Sequence, residues 1–158
     1  MRVVGILMVL VGVMMSCDDR RVYEEYVDFE ERYWLVNERP EFEFVITDPR
    51  LKYNIYSNVR NDVSYPWSRL FLTYHLQDST GAALKKEMVT NYLFDGESGE
   101  PLGSSGLGDI YDHQFLLLKD YRFSKAGKYK MRFEQVMRTD TLEGMLAVGL
   151  RVEKVSVE

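Results

Sequence analysis

The sequence predicts an all-β fold, an antiparallel β-sandwich of about eight strands that follows a short N-terminal segment destined for removal. Three observations carry this expectation. Apolar and polar residues alternate with period two in run after run of the 158-residue chain. The runs are separated by turn-forming clusters: "TDPR", "DVSYPWS", "DSTGAA", "SKAGK" and "TDTLEG". No segment combines the capping residue, apolar stripe and glycine stop of a helix. Two sheets that bury alternate faces against each other satisfy this pattern, with a closed barrel as the alternative.

The chain opens "MRVVGILMVLVGVMMSCDD". After Arg2, positions 3–15 are apolar or glycine, and Ser16 and Cys17 follow. A helix of this run would be about 20 Å long, short of the roughly 30 Å hydrocarbon layer. A positive start, a short apolar stretch and a small residue before a break are instead the parts of a secretory signal. "MMSC" adds the pattern of a bacterial lipoprotein box, with Met14 where leucine is commoner. Residues 1–16 are thus expected to be cleaved and Cys17 to be acylated as the new N-terminus. Lipidation also accounts for a single cysteine in an exported chain, where an unpaired thiol is otherwise a leftover.

The polar stretch 17–21, "CDDRR", is expected to be the tether, and 22–158 a single domain. Its first strand is expected over 22–29. In "EFEFVI", Phe42, Phe44 and Ile46 point one way and Glu41 and Glu43 the other. A strand over 53–60 follows, then "RLFLTYHLQD", with Leu70, Leu72, Tyr74 and Leu76 on one face and Phe71, Thr73 and His75 on the other. Strands over 87–94 and 111–118 come next. "KYKMRFEQ" sends Tyr129, Met131 and Phe133 inward and Lys128, Lys130, Arg132 and Glu134 outward. In "MLAVGLRVEKV" the inward set is Leu146, Val148, Leu150 and Val152. The long glycine-rich interruption over 95–115 is the segment most expected to be functional or mobile.

Composition narrows the chemistry. The formal net charge of −5 argues against nucleic acid as a partner, since that needs a basic surface. A serine-hydrolase reading fails, because only His75 and His113 can act as base and "GSSG" is not a nucleophile elbow. Asp109, Asp112 and His113 lie together in "GDIYDHQF" and could hold a cation. The spacing fits neither a zinc motif nor an EF-hand, so turn formation by the two aspartates, with His113 starting a strand, is favoured and no metal or cofactor is assigned. Trp34 and Trp67 are candidates for stacking on sugars, although core or rim packing explains them as well. Lys128, Lys130 and Arg132, with Lys125 before them, form a basic row suited to an acidic partner or lipid headgroups. A solvated strand that resists edge pairing is the simpler account.

Several long stretches together resemble one family. "VYEEYVDF", "KYNIYSNVRNDVSYPWSRLFLTYHLQDSTG", "NYLFDGESGEPLGSSGLGDIYDHQFLLL", "GKYKMRFEQVMRTDTLEGMLAVGLRVE" and the lipoprotein box are similar to the gliding-motility lipoprotein family GldH of the Bacteroidota. The resemblance implies a non-enzymatic cell-envelope lipoprotein, a structural or assembly component of the gliding machinery and its associated type IX secretion apparatus. Its partners would be the membrane, through the lipid on Cys17, and other envelope proteins. In this phylum acidic residues beside the anchor resemble a surface-export signal. Arg20 and Arg21 interrupt Asp18 and Asp19 here, which favours the periplasmic side of the outer membrane. The expected partner site is the loop carrying Gly106, Asp109, Asp112 and His113, together with the turn Arg138, Thr139, Asp140 and Thr141, on grounds of exposure and loop length. A surface carbohydrate-binding module using Trp34 or Trp67 is the alternative.

Overall fold

The structure is a computed structural model, and it describes residues 18–155. The signal segment 1–16 and the acylation site Cys17 lie outside the described residues. The strands are β1 (Arg21–Asp28), β2 (Tyr33–Leu35), β3 (Glu41–Ile46), β4 (Tyr53–Asp62), β5 (Arg69–Asp78), β6 (Ala83–Tyr92), β7 (Ser104–Ser105), β8 (Ile110–Tyr121), β9 (Gly127–Gln135), β10 (Thr141–Glu143) and β11 (Met145–Lys154). Every pairing is antiparallel. One sheet has the order β1-β11-β4-β8-β7, the other β3-β9-β5-β6, and β10 and β2 form a small ribbon. The fold is the expected all-β, sandwich-like arrangement.

Alternation decides what is buried. Phe42, Phe44 and Ile46 of β3, Tyr129, Met131 and Phe133 of β9, and Leu70, Leu72, Tyr74 and Leu76 of β5 turn inward from the second sheet. They meet Tyr53, Ile55 and Val59 of β4 and Val148, Leu150 and Val152 of β11. Each fully buried side chain of this size contributes about 1.5–3 kcal/mol, so the core can hold the fold without a disulfide. Leu146, expected inward, is only partly buried, while Ala147 is fully buried. A register shift between Met145 and Ala147 re-aims that end of β11.

The remaining differences have local causes. The strand expected over 87–94 starts earlier, at Ala83, and ends at Tyr92. Most of β6 is exposed on both faces, so it carries no alternation to read. Leu93, fully buried, has already left the strand, its N–H donating to the Ser68 carbonyl at 2.9 Å. The strands of two or three residues, β2, β7 and β10, are too short to show a period. The basic row of β9 does not guard an edge, because β9 lies between β3 and β5. Lys128 and Lys130 pair instead with Glu43 and Glu41 across the sheet, at 2.8 and 3.1 Å. Like those pairs, His75 lies outside the core, 3.2 Å from Glu134.

The register gives the sandwich two distinct ends. Arg21 lies opposite Glu153, Lys154 opposite Tyr53, and Tyr53 opposite Tyr121, so the chain start and the turns 47–52 and 122–126 share one end. We call this the tether end. Asn61 lies opposite Met145 and Tyr111, which places loops 63–68, 93–109 and 136–144 at the other, distal end.

Candidate functional site

Both segments expected to meet a partner fall at the distal end. Gly106 and Asp109 are exposed, in the loop between β7 and β8. Asp112 is already within β8 and half-buried. Its carboxylate accepts from Arg60 Nε and Nη2 of the neighbouring β4 at 2.7 and 3.3 Å. That cross-strand ion pair replaces the turn-forming role expected for Asp112. The second segment is stitched elsewhere. Gln135 donates to the Thr139 carbonyl at 3.2 Å, Thr139 Oγ1 to the Thr141 carbonyl at 3.0 Å, and the Val36 N–H to the Asp140 carbonyl at 2.8 Å. Arg138 is exposed. Among the described residues no hydrogen bond or ion pair joins this turn to the 106–113 segment, so the two share an end without forming one cluster.

His113 is not a loop residue. It is buried in β8, stacked on Phe115 with ring centroids 5.7 Å apart, and its Nε2 lies 2.9 Å from Asn61 Oδ1. Asn61 Nδ2 donates to the Asp62 carbonyl, which leaves the amide oxygen to accept from the imidazole. Gly103 makes room for this ring, since a Cβ there would sit 2.7 Å from His113 Cε1 and Nε2. Burial lowers the His113 pKa to about 4, against a smaller upward pull from Asp112. The imidazole is therefore neutral in the fold. Between pH 6.5 and 4 the unfolded chain binds a proton that the folded chain refuses, so stability falls as the pH drops through that window. The loss is expected to reach about 3 kcal/mol. Urea unfolding of the wild type and of His113→Gln between pH 7 and 4 measures it, and the variant is expected to lack most of this slope.

Among the described residues no group of three or more His, Cys, Asp or Glu side chains is placed to hold a metal ion. Asp112 is occupied by Arg60 and His113 by Asn61.

The two tryptophans separate cleanly. Trp34 is fully buried, stacked on Phe29 at 5.3 Å, with Nε1 donating to the Glu38 carbonyl at 2.9 Å. It has no face for a sugar. Trp67 is half exposed beside a shallow cleft of about 300 Å³ that also includes Val63, Tyr65, Pro66 and Phe94. Val36, Val63, Trp67, Tyr92, Leu102 and Leu107 are all exposed and all lie at or beside the distal end. The tether-end turns 47–52, 79–82 and 122–126 carry no exposed large apolar side chain among the described residues. No sequence signal marks this grouping, because the residues come from three separate segments that only the strand register gathers.

At the tether end the chain is fastened as soon as it is described. The Arg151 guanidinium receives Asp18, Glu24 and Glu153 together, with Glu24 at 2.8 Å and Glu153 at 2.6 Å. Burial works against the charge on Arg151, but Glu153 and Asp18 outweigh it and hold its pKa above the usual value. Arg20 accepts through its carbonyl from the Lys154 N–H at 2.8 Å. Arg151 was not singled out from sequence, where it is one polar position of an alternating strand.

Residues 21–152 match the family described as GldH lipoprotein. The chain is 32% identical over 146 residues to a Christiangramia forsetii protein named gliding motility lipoprotein GldH homolog, covering 88% of this chain and 87% of that one. It is 29% identical over 157 residues to the gliding motility lipoprotein GldH of Flavobacterium johnsoniae, covering 95% of each. Among solved structures, the VP2 subviral particle of infectious bursal disease virus aligns with 97% of this chain and 37% of its own, at 14% identity and a TM-score of 0.42. The family match begins at the first residue of β1 and ends within β11, so it takes in both sheets, Glu24 and Arg151 of the ion cluster, and the distal loops: the chain belongs to the GldH lipoprotein family.

Proposed function

We propose that this protein is a non-enzymatic component of the gliding-motility machinery and its associated type IX secretion apparatus. In this reading residues 1–16 are removed, Cys17 is acylated, 17–21 is the tether and 22–158 the working domain. The acyl group holds the protein in the outer membrane, facing the periplasm. The distal end is its docking face for other envelope proteins, and the loop with Gly106 and Asp109 and the turn with Arg138, Thr139 and Asp140 lie on that face.

One observation carries the reading: Val36, Val63, Trp67, Tyr92, Leu102 and Leu107 are exposed at the distal end, whereas the other exposed apolar side chains, such as Tyr26, Val45, Met88 and Leu116, are scattered along the strands. Val63 and Trp67 share one shallow cleft there, and exposed apolar surface of this kind marks a protein contact. Fastening of Asp18 to Arg151 supports it, since the anchor then lies at one end and leaves the other free. A photo-crosslinking side chain at Trp67 or Leu107 is expected to capture envelope-machine proteins in cells, and one at Lys86 on β6 is not. Equal capture from both positions, or intact spreading and secretion after deletion of the gene, overturns the reading.

Acylation has its own test. Cells fed an alkyne-bearing fatty acid are expected to label the wild-type chain, and Cys17→Ala is expected to abolish the label. Retention of label by the variant removes Cys17 as the anchor. The glycan-binding alternative now stands on Trp67 alone, and a glycan screen of Trp67→Ala beside the wild type tests it.

A further inference from the structure

A cleft of about 840 Å³ opens at the tether end. Six basic side chains line it: Arg20, Arg50, Lys52, Lys119, Arg122 and Lys154. Only Asp120 and Glu153 oppose them there, and Glu153 is already taken by Arg151 at 2.6 Å. Just outside, Asp48 binds Arg50 at 2.7 Å. Lys52, Lys119 and Lys154 are exposed and form no ion pair among the described residues. This concentration of positive charge occurs in a chain whose net charge is −5.

The walls are held in place from several sides. Arg122 Nη1 donates to the Arg50 carbonyl at 3.1 Å and ties the turns 47–52 and 122–126 together. The Val155 N–H donates to the Lys52 carbonyl at 2.9 Å, and the Asp120 N–H to Asn54 Oδ1 at 2.9 Å. Asp120 has a φ of 51°, a left-handed conformation near the end of β8, and Lys119 and Arg122 on either side of it both line the cleft. A concave array of guanidinium and ammonium groups on a backbone held in this way is suited to a phosphate, which accepts from both.

Position supplies the source of that phosphate. Arg20 lines the cleft and lies three residues after Cys17, a reach of about 10 Å at most. The cleft therefore sits within a headgroup's depth of an acyl chain on Cys17. We propose that this cleft binds the phosphate of an anionic lipid headgroup in the leaflet that holds the tether, a reading that rests on acylation of Cys17. The bound headgroup fixes which way the sandwich faces, so that the distal end points away from the bilayer.

The test uses the chain from residue 17 onward carrying Cys17→Ser, which keeps every described residue and bears no acyl group. It is sedimented with vesicles of one part phosphatidylglycerol to three parts phosphatidylethanolamine, and with vesicles of phosphatidylcholine. Binding is expected only to the first, and it is expected to weaken as salt is raised. Lys52→Gln, Lys119→Gln and Lys154→Gln together are expected to weaken it about 100-fold, about fivefold for each lysine. The charge-matched set away from the cleft, Arg39→Gln, Arg69→Gln and Lys86→Gln, is expected to leave it within about twofold, with folding of both sets checked by thermal melts. Equal losses from the two sets reduce the effect to net charge and overturn the proposal. Binding of inorganic phosphate in calorimetry without vesicle binding assigns a soluble anion and also overturns it. Fatty-acid labelling at Cys17 is read separately, so failure of the cleft and failure of the anchor are told apart.

Discussion

Trp34→Ala is expected to lower unfolding stability by about 3–5 kcal/mol, the largest loss of any single truncation in this chain. Trp34 is fully buried and stacks on Phe29, and its ring braces the β2–β10 ribbon, where it lies opposite Leu142. Removing the indole leaves a cavity and strips the Glu38 carbonyl of its donor, Trp34 Nε1. The cavity and the orphaned acceptor act in the same direction. Urea unfolding followed by circular dichroism measures the loss, because the fluorescence of Trp67 alone remains in the variant. A loss below about 1 kcal/mol contradicts the buried placement. Trp34→Phe is expected to recover part of the stability, since it keeps a ring stacked on Phe29 and loses the donor and the volume of one fused ring.

Gly144→Ala is expected to cost about 2–4 kcal/mol, from two separable sources. Gly144 has a φ of 73°, which costs an alanine about 1 kcal/mol. A Cβ at this position would also lie 2.3 Å from the Tyr65 backbone nitrogen, so backbone itself must move. That backbone is not free to do so. The Asp62 N–H donates to the Gly144 carbonyl and the Gly144 N–H to the Arg32 carbonyl, both at 2.9 Å. Asp62 in turn is held by Arg32 and by the Ser64 N–H at 2.8 Å. Gly99→Ala is the control, with the same φ of 73° and open space around the position. It is expected to show the conformational part alone, about 1 kcal/mol. Equal losses at the two positions remove the steric argument.

What the residues disclose in advance follows from which interactions are local. β3, β5 and β9 alternate because one face of each is buried by the opposite sheet, and period two is the direct trace of that burial. β6 leaves no such trace, being an edge strand exposed on both faces over most of its length. Gly106 and Gly108 mark a loop, and the strand expected over 111–118 takes in His113. The burial of His113 leaves no local trace, because its partner Asn61 lies 52 positions away, across a pairing that no local pattern encodes. The row Lys128, Lys130 and Arg132 was legible as a row, but its neutralisation depends on β3 lying alongside in a register that sets Glu43 against Lys130 and Glu41 against Arg132. The tether-end cleft is the extreme case. Its six cations come from four separated stretches, none of them basic enough to stand out.

The antiparallel register also turns strand length into a measure of height. β8 runs from the distal end to the tether end in 12 residues, which at about 3.3 Å each is roughly 40 Å. Under the proposed anchoring, with Cys17 in the leaflet and Asp18 clamped to Arg151, Trp67 and Leu107 would stand about that far above the headgroups. The domain would then work as a ruler. A partner restricted to the bilayer plane passes underneath the apolar loops, and only one whose own body rises to the same height can meet them.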